Sequence, residues 1–117
     1  MKIELKFLED GKEVTKTYVN EYISALIYKE YNKLEQEFNA LIEEPTIDQY
    51  DLLIALLCRA FNNQFTIDEF WSGSSTYTLR KYLYEFILVV KGIPLEPTEE
   101  QLEKEKEKEK EGNIATP

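Results

Sequence analysis

Three groups of residues have the types and spacing that could do chemistry. They are the carboxylates Glu43, Glu44, Asp48 and Asp51, the adjacent pair Asp68 and Glu69, and the lone thiol Cys58. Clustered carboxylates can hold a divalent cation, paired ones can exchange protons with a substrate, and a thiolate can attack an electrophile. Each group also has a plainer reading. The run from Glu43 to Asp51 lacks the ligand spacing and the glycine of a calcium loop, so it reads as a solvated acidic patch. Asp68 and Glu69 fall inside Thr66-Ile67-Asp68-Glu69, a T-x-x-E capping box. There the Thr66 hydroxyl accepts the Glu69 N–H, and the Glu69 carboxylate reaches back to the N–H of Thr66. Cys58 sits in an apolar helical run with no second cysteine to pair with, which suits a buried structural thiol. The chain has no histidine, no glycine-rich phosphate loop, no nucleophile elbow and no Cys/His cluster. Catalysis, a metal and a cofactor are therefore not expected.

The elements around these residues follow from periodicity. Ile3, Leu5 and Phe7 alternate with Lys2, Glu4 and Lys6, the pattern of a half-buried strand. Asp10-Gly11 is a hairpin turn, and Glu13 to Val19 is the returning strand, so a hairpin is expected over about residues 2–19. From residue 21 to about 44 the pattern becomes helical, with Ile23, Leu26, Ile27, Tyr31, Leu34, Phe38, Leu41 and Ile42 on one stripe. Pro45 ends it. Thr46-Ile47-Asp48-Gln49 is a second capping box and opens a helix over about 47–62, apolar on two sides and so central. Asn62-Asn63 breaks that helix. Phe65 and Phe70 then bracket the Thr66–Glu69 box as a hydrophobic staple, opening a short helix over about 67–72. Phe70 and Trp71 are assigned to the core. A last helix spans about 76–91, with Leu79, Tyr82, Leu83, Phe86 and Val90 inward, Gly92 as its cap and Pro94 as its stop.

A chain of 117 residues makes one modest core, and its 43% hydrophobic and 13% aromatic content fits a folded domain. The net charge of −9 disfavours binding to nucleic acid or to an anionic membrane surface. No apolar run approaches the roughly 20 residues of a membrane helix, and the first residues lack a signal-peptide core. From Ile93 onward eight acids meet four lysines, a contribution of −4, which leaves −5 for residues 1–92. Between Glu103 and Glu111 strict Glu/Lys alternation places like charges at every i,i+4 pair, which opposes a helix. The expected fold class is thus α+β: an N-terminal hairpin packed on three main helices and one short one, with residues 93–117 a flexible charged tail.

Function is carried by a resemblance. Phe61-Asn62-Asn63-Gln64-Phe65-Thr66-Ile67-Asp68-Glu69-Phe70-Trp71-Ser72-Gly73, followed by a helix rich in Leu, Phe, Ile and Val, resembles the tail assembly chaperones of long-tailed bacteriophages. The type is that of phages and prophages of Gram-positive bacteria, and the strand–turn–strand–helix opening agrees with it. The resemblance spans roughly residues 1–92, and its motif is structural. It implies a non-enzymatic protein of the host bacterial cytoplasm. Such a protein binds the tape-measure protein before tail-tube subunits polymerise around it, and in this family a frameshifted longer form often recruits those subunits. The resemblance assigns no contact residue. Helical phase alone places Tyr22, Tyr28, Tyr77, Tyr84 and Leu88 away from the main stripes, as candidate partner or subunit contacts. Two other classes fit the same composition: an acidic nucleic-acid mimic, and a module self-associating through the second face of the last helix.

Overall fold

The computed structural model describes residues 1–95. Its elements run β1 (Lys2–Glu9), β2 (Lys12–Val19), α1 (Ala25–Glu35), α2 (Ile47–Ala60), α3 (Ile67–Gly73) and α4 (Thr76–Val90). The fold class is α+β, a two-stranded antiparallel hairpin on four helices. The residues expected to form a charged tail lie outside the described residues from position 96 onward.

The hairpin register pairs Glu9 with Lys12, leaving Asp10-Gly11 as a two-residue loop. Both loop residues have positive φ, 52° and 75°, the requirement of the tight turn that matches strand twist. Ile3 and Leu5 point inward and are fully buried. They rest on the C-terminal end of α3, where Gly73 allows close approach. A Cβ on Gly73 would lie 2.8 Å from the Leu5 Cβ and 3.1 Å from the Phe7 ring. On the other side, the Tyr82 hydroxyl of α4 accepts the Glu4 N–H at 3.1 Å and lies 3.3 Å from the Glu4 carbonyl, to which it can donate. The hairpin is marginal alone and is held by these contacts with α3 and α4.

The junction from α2 to α3 has the expected construction. Asn62 and Asn63 adopt φ of 56° and 57°. Their N–H groups bond to Arg59 and Cys58 carbonyls at 3.0 and 2.8 Å, which closes α2 with a Schellman motif. Three residues later the Thr66 box is complete, with both reciprocal bonds at 3.1 Å. The Thr46 box forms likewise at the start of α2. A third box, Ser75 with Thr78, opens α4, and Gly92 (φ 78°) closes it. Phe65 and Phe70 stack at 5.9 Å, and the aromatic chain continues to Phe61, to Tyr18 of the hairpin and to Tyr82.

One element differs from its sequence reading. The helix expected over about 21–44 is only Ala25–Glu35, and residues 36–43 are turns and irregular chain. At its start, the Asn20 side chain accepts the Tyr22 N–H at 2.9 Å and donates to the Ala60 carbonyl, which holds the chain in a turn. At its end, Asn39 donates to Glu35 and accepts the Leu41 N–H at 3.0 Å. Such local side-chain bonds compete with the helical ladder. As a result Leu41 and Ile42, expected on the inward stripe, are exposed, at 38% and 79%, and Leu26, expected there too, faces solvent from within α1.

Candidate functional site

The tyrosines expected at a contact surface have different surroundings. Tyr22 and Tyr77 are largely open, at 79% and 73%, while Tyr28 and Tyr84 are about half exposed. Tyr22 lies between β2 and α1, and Tyr28 lies on α1. Tyr77, Tyr84 and Leu88 share α4. The structure brings Tyr84 and Leu88 together along a groove between α4 and β1, with Lys2, Lys81, Glu85 and Leu95 also on its walls. Tyr77, Tyr22 and Tyr28 do not line that groove.

Tyr84 also stands at the mouth of a second cavity, of about 260 Å³, which helical phase did not reveal. Its floor is Tyr50 and Leu53 of α2 with Leu83 and Ile87 of α4, all buried. Its outer wall is the irregular segment Ala40, Leu41, Glu44 and Pro45. A single exposed ion pair, Arg80 to Glu44 at 2.6 Å, ties that wall to α4. A third groove, between α1 and α2, has Leu34, Leu52, Ala55 and Leu56 as its apolar lining. Its charged edge is closed by Arg59, which grips Glu30 with both guanidinium nitrogens at 2.5 and 2.9 Å.

Of the structural motif residues, the two phenylalanines occupy the interior, while Thr66 and Glu69 form their cap at the surface. Phe65 and Phe70 are buried, and Trp71 is half-buried beside Tyr50 with its indole N–H donating to Asp51 at 2.7 Å. That bond employs one carboxylate of the acidic patch in packing, while Glu69 is employed in capping. Among the described residues no group of three or more His, Cys, Asp or Glu is placed to hold a metal ion. Burial, with Glu69 adding to it, pushes the Cys58 thiol up to about 11, so at neutral pH it is an uncharged packing group. Burial beside Glu35 likewise pushes the Tyr31 phenol up to about 12. What the described surface offers is apolar clefts with charged rims.

A protein-family profile described as phage tail chaperone protein matches residues 1–112. The chain belongs to the phage tail chaperone family. The match extends past residue 92, where the sequence resemblance was drawn, into the charged segment. Neither the curated proteins nor the solved structures contain a match to this tail chaperone. Its family role is one of assembly rather than catalysis, exercised on tail proteins of a bacteriophage. No described helix is long and apolar enough to cross a membrane.

Proposed function

We propose that this tail chaperone binds the tape-measure protein of a long-tailed phage in the bacterial cytoplasm, keeps it soluble, and helps bring tail-tube subunits to it. The observation that carries the reading is the family match over residues 1–112. The surface supports it. Apolar side chains meet at open clefts on α4, where a helix of the partner can lay its apolar face. The net charge of −9 keeps a complex with an aggregation-prone helical protein dispersed. Tyr77, Tyr84 and Leu88 are the contacts assigned to α4, with Tyr22 and Tyr28 as contacts outside it.

Co-expression with the long helical protein encoded downstream in the same genome tests this. The expected result is that the partner becomes soluble and co-elutes with the chain. A partner that stays insoluble, and is not retained by the purified chain, contradicts the reading. With capture established, alanine at Tyr77, Tyr84 and Leu88 together is expected to lower the yield of complex. An unchanged yield would remove α4 from the interface.

A further inference from the structure

The segment between α1 and α2 is pinned at both ends and loosely held in the middle. Glu35, the last residue of α1, pairs with Lys91 at 2.9 Å in a half-buried site. At the other end Thr46 is fixed by its capping box with Gln49. Between those points the backbone hydrogen bonds are local. Glu37 and Phe38 bond back to Leu34, and Ile42 and Glu43 bond to Asn39. Of the apolar residues Phe38, Ala40, Leu41 and Ile42, only Ala40 packs against the buried core.

Behind this segment lies the cavity of about 260 Å³, so the wall forfeits contacts that close packing would supply. Beneath it are Tyr50 and Leu53 of α2 with Leu83 and Ile87 of α4, all buried. Among the described residues one ion pair crosses from the segment to α4, Glu44 to Arg80 at 2.6 Å, and both side chains are largely exposed. Such a pair contributes little and is screened by salt. Few buried contacts, local hydrogen bonds and one weak tie characterise a stretch that opens while the rest of the fold stays closed.

We infer that residues 36–45 form a strap that swings off α4 between its two pinned ends, with Arg80 and Glu44 as its latch. Opening uncovers the apolar floor that α2 and α4 build together. The closed form is the major one, because opening wets four apolar side chains, and the latch sets how often the strap lifts. The free chain thereby keeps this apolar surface hidden, yet within reach of a local motion.

The full chain carrying Leu83→Cys tests the strap. Leu83 is buried on the floor, and the native thiol of Cys58 is buried away from the cavity. Thiol labelling is followed at each site by mass spectrometry. Adding Arg80→Gln is expected to raise the rate at position 83 by about two- to fivefold and to leave Cys58 unchanged. Raising salt to about 1 M should do the same to the Leu83→Cys chain and add nothing to the double variant. An equal rise at Cys58 would mean global unfolding and overturns the strap, as does a rate at position 83 that neither change moves. Amide exchange in the wild-type chain and in Arg80→Gln alone gives a second measurement without the floor substitution. The bonds of Ile42 and Glu43 to Asn39 form a single turn, which frays once lifted, so both amides should exchange faster in the variant. Phe86, inside α4, should not change. If Leu83→Cys fails to fold, these amides decide, and unchanged exchange at Ile42 and Glu43 overturns the strap. No partner enters the test, so the chaperone reading stands or falls separately.

Discussion

The two connections that flank α2 are built on opposite plans. The one after it, residues 61–66, holds two left-handed asparagines, a completed capping box and Phe61 and Phe65 inside an aromatic stack. The one before it, residues 36–46, also contains an asparagine and ends in a capping box. Yet it turns Leu41 and Ile42 to solvent and is tied to α4 by one exposed ion pair. Local hydrogen bonding is present in both, so what separates them is burial: only the first carries buried rings. The first connection is scaffold, and the second forms the outer wall of the cavity between α2 and α4.

Truncation should separate the two most strongly. Phe65→Ala removes a buried ring and is expected to destabilise by about 3–5 kcal/mol. Ile42→Ala, on the open side, should stay within about 0.5 kcal/mol. Urea unfolding of the pair measures both, and equal losses would erase the contrast. Next comes the hairpin seat. Gly73→Ala forces a Cβ against Leu5 and is expected to cost about 1–3 kcal/mol. A thermal midpoint equal to wild type would mean that β1 is not seated on α3 as described.

Smaller effects sharpen the comparison. Thr66→Ala removes a cap and should lose about 1 kcal/mol. Asn62→Gly relieves a left-handed position that glycine adopts freely, so its cost should be slight, whereas Asn62→Ala should lose about 1 kcal/mol or more. Denaturant midpoints of the three variants order these effects, and an Asn62→Ala protein as stable as Asn62→Gly would contradict the left-handed cap. Arg80→Gln breaks only the exposed pair with Glu44 and is expected to change stability by at most about 1 kcal/mol, less in high salt.

The rigid connection was legible in the chain because its signals are local: Asn62-Asn63, the T-x-x-E spacing and the bracketing Phe65 and Phe70. The hairpin turn at Asp10-Gly11 was legible for the same reason. The open connection was not. Apolar residues continue at spacings of three and four through Phe38, Leu41 and Ile42, so periodicity extends the helix past its end at Glu35. Beyond that end the Asn39 side chain accepts the Leu41 N–H in place of a helical carbonyl, a bond that leaves no mark on the pattern. The Ser75 box lacks the usual sequence mark, because its third helical position is Thr78 instead of Glu or Gln. The Tyr82 hydroxyl reaches Glu4 across 78 positions of sequence, where no local signal exists. The cavity followed the same rule. Its floor residue Leu83 is placed inward by periodicity, but its wall depends on a chain break after Glu35 that periodicity does not show. The candidate tyrosines were chosen by helical phase, and only Tyr84 lies at that cavity.

Hydrogen–deuterium exchange on the full chain, alone and in complex with the co-expressed partner, tests the central claim most directly. Free, the 36–46 segment should exchange fast and residues 61–67 slowly. On binding, residues 40–45 and the Arg80–Ile87 stretch of α4 should gain protection, with little change at 61–67. A complex that leaves 40–45 unprotected, or that protects 61–67 instead, would contradict the account.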